Sequence, residues 1–315
     1  MTKFIASNIY ISRYTCSSLS VQSGYDDIVL LTEKLASIIS EYTYSKNISV
    51  MCAKDFLDFK YSNDEPSIEE ILFEIAQQDF SLFSLYYSMF EQAISHVKSN
   101  ISSCVLSNLL TKQQSNAFPQ NYALVIDEGL WPDIIDVMHT SNWRDTLKKN
   151  STFIALHNKD KNDFISLSIK NYDNLVFHEK ISNTLDTILN GTYWDYKFII
   201  SDALNALNQS YNFISNSPNN NQDDLNIISD FTGKIGKKLS CSRQGSNKPM
   251  FKFPSDDAKT KEQEEVNCEY HLKINWNDRG VRLLSKDYIR IYFALKFNAS
   301  HGHKMIKVAY IGKHY

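Results

Sequence analysis

The densest group of chemically active side chains lies in the last fifty residues of the chain. The group consists of Glu269, His271, Lys273, Arg290, His314 and Tyr315. Carboxylate, guanidinium and imidazole groups together suit chemistry on a phosphodiester. The carboxylate accepts the proton of a 2′-hydroxyl, the arginine stabilises the developing charge, and a histidine protonates the leaving oxygen. That reaction needs neither a metal nor another cofactor, and the same groups can also bind a phosphate backbone without cleaving it.

Three predicted strands carry these side chains. The segments "EYHLKINW", "YIRIYFALKF" and "KMIKVAYIG" are rich in β-branched and aromatic residues, and "NASHGH" supplies turn residues between the last two. This pattern predicts an antiparallel hairpin with a third strand beside it. Because side chains alternate between the faces of a strand, Arg290, Tyr292 and Ala294 share one face. We expect that face to be exposed and the intervening apolar residues to be buried.

The charge balance distinguishes this segment from the rest of the chain. Residues 266–315 contain nine Lys or Arg and three acidic residues, a net charge of +6, whereas the whole chain carries −3 and the remainder therefore −9. A basic segment on an acidic body favours a polyanionic partner, RNA or DNA, unless the acidic body masks it or the surface is merely solvated. The predicted nucleic-acid-binding residues are His271, Lys273, Arg279, Arg282, Lys304, Lys307 and Lys313.

The same fifty residues resemble the RelE/ParE-like toxin fold, especially its YoeB-type ribosome-dependent mRNA interferases. The resembling residues are Glu269 in "CEYHLKIN", Arg290 in "YIRIYFAL" and the terminal pair His314 and Tyr315. The resemblance implies that Glu269 is a general base, that Arg290 stabilises the transition state, and that the terminal pair acts as acid or orients the substrate. Residues 266–315 are also similar to the C-termini of uncharacterised bacterial phage-defence proteins, a likeness that does not require catalysis.

The preceding residues are predicted to form a helix-rich body. The apolar spacing after Asp26 predicts an amphipathic helix, and residues 67–97 predict a long helix or a helical hairpin that starts at a capping box of Ser67 and Glu70. Two short helices, interrupted at Asn190-Gly191, are expected before residue 215. Short strands are predicted at "KFIASNIYIS", "NYALVIDEG", "STFIALHN" and "DFISLSI", with "KDKND" as the turn between the last two.

These patterns predict an α+β fold in three segments. Residues 1–214 form a helix-rich α+β body with a small central sheet, residues 215–265 form a loop-rich connector with some ordered pieces, and residues 266–315 form a basic, mainly β module. The five cysteines are odd in number, widely spaced and never in a CxxC pair, which predicts ordinary thiols rather than disulfides or a metal site.

Several classes of function lack their sequence signatures. GxGxxG, GxxxxGK[ST], HExxH and GxSxG are all absent, which disfavours the common nucleotide-binding loops, zinc proteases and serine hydrolases. Neither an 18-residue apolar run nor a secretory signal is found, so we expect a cytoplasmic protein without a membrane partner.

Two functions stay open. The first is a bacterial toxin-like or anti-phage defence effector whose basic module engages RNA or DNA, either as a metal-independent endoribonuclease or by binding alone. The second is a non-enzymatic defence or regulatory subunit that binds DNA or a partner protein. The deciding geometry is whether Glu269, Arg290 and His314 converge on an open face of the sheet. Without a converging carboxylate, the endoribonuclease hypothesis loses its base.

Overall fold

The chain forms two compact units, Met1–Leu147 and Lys148–Tyr315. A computed structural model describes residues 4–60, 65–111, 117–126, 138–219, 221–234, 239–255, 263–299 and 302–315. Both units contain helices and strands, which confirms the predicted mixed α and β class. The last fifty residues share the second unit with the helices and strands that follow residue 147.

The first unit is built on a parallel four-stranded sheet. Its strands are β1 (Ser7–Ile11), β2 (Ile48–Cys52), β3 (Gln120–Leu124) and β4 (His139–Thr140). They lie in the order β2-β1-β3-β4 and are all parallel. Parallel neighbours require crossover connections, and helices lie between β1 and β2 and between β2 and β3 in the chain. The strands predicted in "KFIASNIYIS" and "NYALVIDEG" are confirmed as β1 and β3, although residues 127–129 of the latter lie outside the described residues.

Helices cover both faces of this sheet. They are α1 (Tyr25–Glu41), α2 (Ile68–Ile75), α3 (Phe80–Ile94) and α4 (Ser103–Thr111). The first three pack on the face that carries Ile9 and Tyr122, and α4 packs on the face that carries Tyr10. The predicted helix after Asp26 is confirmed as α1. Between α2 and α3 the chain turns at Gln77 and Gln78, whose φ values of 51° and 66° lie in the left-handed region, so the helical hairpin is the correct alternative.

The predicted capping box starts α2. Ser67 Oγ accepts a hydrogen bond from the Glu70 amide at 3.1 Å, and Glu70 Oε2 accepts one from the Ser67 amide at 3.1 Å. We expect Ser67→Ala to lower the free energy of unfolding by about 1 kcal/mol, because the Glu70 amide loses the hydroxyl that accepts its hydrogen bond. Urea denaturation measures this loss. Ser81→Ala, at an exposed position of α3, is the control, and an equal loss in both variants would contradict the capping role.

The second unit contains a five-stranded sheet and a separate two-stranded ribbon. The sheet strands are β5 (Leu175–Phe177), β6 (Ser240–Arg243), β9 (Tyr270–Ile274), β10 (Ile289–Asn298) and β11 (His303–Gly312), and the ribbon strands are β7 (Met250–Pro254) and β8 (Gln263–Asn267). The sheet order is β5-β11-β10-β9-β6. The predicted antiparallel hairpin is confirmed as β10 and β11, and the predicted third strand is β9. The segment predicted as a loop-rich connector thus contributes β6 and the ribbon.

Two predicted strands in the middle of the chain are wrong. After β4 the chain forms the helices α5 (Trp143–His157), α6 (Lys161–Asn171), α7 (Ile181–Thr184), α8 (Lys197–Ser210) and α9 (Asn221–Gly233). "STFIALHN" overlaps the second half of α5, "DFISLSI" lies in α6, and "KDKND" joins two helices. Asp160 caps α6 by accepting hydrogen bonds from the amides of Asn162 and Asp163 at 2.8 and 2.9 Å. Of the three segments predicted to form the small central sheet, only "NYALVIDEG" contributes a strand, β3, which pairs with β1 and β4 of the first unit.

Both faces of the second sheet are covered. The ribbon residues Phe253 and Val266 pack on the face that carries Tyr292 and Ala294. On the opposite face, Lys304 of β11 is ion-paired with Asp224 of α9. The exposed face predicted for Arg290, Tyr292 and Ala294 is therefore wrong, because the ribbon buries most of it. In the described part of the chain, no helix has the length and apolar character that crossing a membrane requires.

Candidate functional site

The sheet register brings basic side chains together at the seam between β9 and β10. Lys273 lies opposite Arg290, and His271 lies opposite Tyr292. Directly opposite residues project from the same face of an antiparallel pair. Arg290 also lies opposite Gly312 of β11, so the chain leaves the sheet beside Arg290 and continues to His314. We call His271, Lys273, Arg290 and His314 the basic cluster.

Two contacts position the chain end over the sheet. Gln244, which follows β6, places its side-chain nitrogen 3.5 Å from His314 Nε2. The Tyr315 amide donates a hydrogen bond to the Tyr292 hydroxyl at 3.3 Å. The terminal pair predicted from the sequence is thus held beside the face that carries Arg290, although the His314 and Tyr315 side chains are themselves exposed.

Arg290 is half-buried, and two of its side-chain nitrogens have no hydrogen-bond acceptor in the described structure. Its Nε and Nη1 atoms are buried and have no hydrogen-bond partner within the described residues. Burial lowers the pKa of Arg290, and the neighbouring Tyr292 raises it only in part. A guanidinium has five N–H donors and no acceptor, so a buried one normally contacts a carboxylate, a carbonyl or an anion. Within the described structure, Arg290 is therefore the charged member of the cluster with unsatisfied donors, and Nδ1 of the neutral His271 is also buried without a partner.

His271 is the most buried member of the cluster. Its side chain is 3% exposed, its Nε2 lies 3.1 Å from the Ser242 hydroxyl, and its ring centroid lies 5.1 Å from that of Tyr292. Burial lowers the pKa of His271 to about 4, and the charges of Lys273, Arg290 and His314 contribute in the same direction. The imidazole is consequently neutral at physiological pH.

The cluster has no anionic partner in the described structure. Partial desolvation lowers the pKa of His314, and the Arg290 charge lowers it further. Among the residues that the structure describes, no carboxylate forms an ion pair with Lys273, Arg290 or His314. Cations that share one face without a counterion raise the local potential, and such a surface attracts anions.

Glu269 does not complete this cluster. Its carboxylate is 7% exposed and forms ion pairs with Lys248 and, at 3.0 Å, with Arg243 Nη2. Burial raises the pKa of Glu269, but the contacts with Lys248 and Arg243 outweigh this effect and leave the pKa below its ordinary value. Glu269 lies four positions before Lys273 in the sequence, which is about 13 Å along an extended strand. The predicted convergence of Glu269 with Arg290 is therefore absent.

For two lysines, Lys304 and Lys307, the predicted role in nucleic-acid binding is wrong. Lys304 forms an ion pair with Asp224, and both side chains are fully buried. Lys307 Nζ lies 2.6 Å from Glu264 Oε1, and the Lys307 side chain is also fully buried. These lysines neutralise acidic residues inside the unit, so their charge is not available to a nucleic acid.

The other predicted binding residues lie outside the cluster. Arg279 Nη2 is 3.5 Å from Asp195 Oδ1, and the Arg282 guanidinium lies 5.9 Å from the centre of the Trp276 ring. Both belong to the loop between β9 and β10. Lys313 is exposed and directly precedes His314, and its amide donates to Thr187 Oγ1 at 3.3 Å. Of these three residues, Lys313 is next to the cluster in sequence.

Sequence reasoning missed two residues of the site, Ser242 and Gln244. Both come from the segment predicted as a loop-rich connector. Ser242 reaches His271 because β6 pairs with β9 across 29 residues, and Gln244 reaches His314 across 70 residues. Nothing in the short polar run "SCSRQ" indicates a strand. Only the long-range pairing could have identified these residues.

The remaining described structure offers no metal centre. Within the described ranges, no three His, Cys, Asp or Glu side chains are placed to hold a metal ion. The first unit contains a groove of about 880 Å³ between α1, β2 and α3, and a polar cavity of about 390 Å³ near the start of α1. Neither cavity includes a predicted site residue.

No protein family, curated protein or solved structure matches this chain. The resemblance of residues 266–315 to RelE/ParE-like toxins and to phage-defence proteins therefore stays a prediction. The functional argument rests on the geometry of the basic cluster.

Proposed function

We propose that the basic cluster binds the phosphate backbone of a nucleic acid. The observation that carries this proposal is Arg290, whose buried Nε and Nη1 atoms have no acceptor in the described structure. Burying a charged group without partners costs free energy, so such a group is retained where a ligand supplies the partners. Phosphate oxygens match the geometry of a guanidinium and form charge-assisted hydrogen bonds with it.

The neighbours of Arg290 support an anionic ligand. Lys273 lies opposite Arg290 in the sheet, and the pKa of His314 is lowered by desolvation and by the Arg290 charge. A bound phosphate would reverse this repulsion and favour the protonated form of His314. Binding should therefore be accompanied by proton uptake, and it should weaken as salt screens the charges.

We propose binding rather than cleavage. A general base must accept a proton, whereas Glu269 is engaged by Arg243 and Lys248 and has a pKa below its ordinary value. In biological terms, the resemblance of residues 266–315 supports a bacterial toxin-like or anti-phage defence protein. The cluster then serves as the nucleic-acid-binding element of that protein.

Arg290→Met is expected to weaken binding of a labelled single-stranded RNA of about 20 nucleotides by roughly tenfold to a hundredfold, because it removes charge-assisted hydrogen bonds worth about 1.5–3 kcal/mol. The free energy of unfolding of this variant should stay the same or rise, because the substitution removes a guanidinium with buried, unpaired nitrogens. Fluorescence anisotropy gives the affinity and urea denaturation the stability. In the proposed wild-type complex three cations, Lys273, Arg290 and His314, contact phosphates. A plot of the logarithm of the wild-type binding constant against the logarithm of salt concentration should therefore have a slope of about −2.

Lys159→Met, which removes an exposed lysine of the same unit, is the matched control and should leave the affinity unchanged. An Arg290 variant that binds RNA normally but unfolds more easily would show that Arg290 is only structural. Binding that is insensitive to salt would point to a partner protein. Cleavage of the RNA that disappears in Glu269→Gln would favour the endoribonuclease hypothesis over simple binding.

A further inference from the structure

An exposed aromatic ring lies directly beside the basic cluster. Tyr315 is 53% exposed, and its ring centroid lies 5.5 Å from that of Phe251, 5.8 Å from Tyr310 and 6.2 Å from Tyr292. The interplanar angles are 58°, 87° and 68°, so none of these rings stacks parallel on Tyr315. The arrangement supports the ring from the protein side and leaves about half of its surface open.

The ring is held in place rather than free. The Tyr315 amide donates a hydrogen bond to the Tyr292 hydroxyl. The rings of Phe251, Tyr292 and Tyr310 contact the Tyr315 side chain. A fixed aromatic ring loses little conformational entropy when a flat ligand stacks on it. Orientation and exposure together make Tyr315 suitable for contact with a planar group.

The position of this ring relates it to the phosphate site. Tyr315 is adjacent to His314, and its hydrogen-bond partner Tyr292 is two residues from Arg290 on the same strand. Proteins that bind single-stranded nucleic acid combine cations that follow the backbone with aromatic rings that stack on the bases. The bases of a duplex are paired and stacked on each other, so stacking one of them on a protein ring first costs the free energy of unpairing and unstacking it.

We infer that the basic cluster takes a single-stranded nucleic acid, with one base stacked on Tyr315 while Arg290 and Lys273 hold the adjacent phosphates. This inference rests on the proposed function and defines its substrate class. Because stacking is available to every base, little sequence preference follows. The exposed ring and the unsatisfied guanidinium then act on the same nucleotide.

The test uses the full chain and three labelled probes of equal length, about 12 nucleotides: single-stranded RNA, the same strand with abasic sites, and the RNA duplex. We expect the wild type to prefer the single strand over both other probes. Tyr315→Leu should weaken binding of the single strand about tenfold, because stacking contributes roughly 1–3 kcal/mol per base, and should not change binding of the abasic strand. Tyr315→Phe should retain the wild-type affinity.

Tyr25→Leu is the matched control, since Tyr25 is 51% exposed and also contacts another tyrosine ring, that of Tyr86. If the wild type binds all three probes equally and Tyr315→Leu changes none of the affinities, base stacking is overturned while phosphate binding stands. If the wild type binds none of the probes, the proposed function fails and the substrate assignment fails with it. Circular dichroism checks that each variant is folded.

Discussion

Replacing Lys304 by methionine is expected to lower the free energy of unfolding by about 3–5 kcal/mol. Lys304 and Asp224 form an ion pair in which neither side chain is exposed. Without the ammonium group, the Asp224 carboxylate stays buried and keeps only the hydrogen bond from the Ser215 amide, at 2.6 Å, as a described contact. An uncompensated buried charge is among the costliest single changes that a protein core can suffer.

Lys296→Met is the matched control for this prediction. Lys296 Nζ lies 3.6 Å from Glu264 Oε2, and its side chain is 43% exposed. A pair of this kind contributes at most about 1 kcal/mol, because water screens it. The double change Lys304→Met with Asp224→Leu should recover much of the lost stability, since it removes both charges. Urea denaturation of the full chain measures all three variants, and equal losses in Lys304→Met and Lys296→Met would refute the buried pair.

A pH dependence of stability is the second large effect, and His271 is its main source. The folded pKa of about 4 lies below the ordinary value of 6.5, so the unfolded chain binds more protons between these values. The corresponding stability is fully present above pH 6.5 and is lost as the pH falls from 6.5 to 4. With about 1.4 kcal/mol for each pKa unit, the loss amounts to about 3 kcal/mol.

His271→Gln should remove this loss, because glutamine does not titrate. The groups that act on His271 are Lys273, Arg290 and His314, all of which are retained in the variant. Urea denaturation at pH 7 and at pH 4, combined with hydrogen exchange of β9 and β10, should show a smaller decrease in the variant than in the wild type. His157→Gln, at an exposed position, serves as the control. If His271→Gln loses as much stability as the wild type, His271 is not the titrating group.

Several elements could be predicted from the sequence because their signals are local. The capping box of Ser67 and Glu70 spans one helical turn, and the β10 and β11 hairpin follows from two apolar runs that flank a short turn. The error at α5 and α6 has a physical cause. Their apolar residues fit both a strand and a helix, and the Asp160 cap together with burial decides for the helix.

Strand pairing in the first unit was beyond local patterns. Ser7 of β1 lies opposite both Ile48 and Gln120, so the sheet joins segments that are more than a hundred residues apart. Alternation and propensity indicate that a strand exists, but they do not identify its neighbours. For this reason local patterns predict strands β1 and β3 but not their parallel arrangement.

The residue types of the site, and the faces that they share within each strand, follow from the sequence. Alternation along β9 puts His271 and Lys273 on one face of that strand, and alternation along β10 puts Arg290 and Tyr292 on one face of theirs. The excess of basic residues after residue 266 is also a property of the sequence alone. Both conclusions depend on covalent order, which needs no knowledge of distant contacts.

Only the tertiary structure decided which of those charges remain available. Asp224 lies 80 residues from Lys304, and Glu264 lies 43 residues from Lys307, yet folding brings each pair together and neutralises it. The ribbon likewise covers the face that carries Tyr292 and Ala294, and the Nε and Nη1 atoms of Arg290 are buried without acceptors in the described structure. Ion pairing and burial depend on contacts between distant segments, so counting charges along the chain cannot separate a lysine paired inside the fold from an arginine whose buried nitrogens lack acceptors.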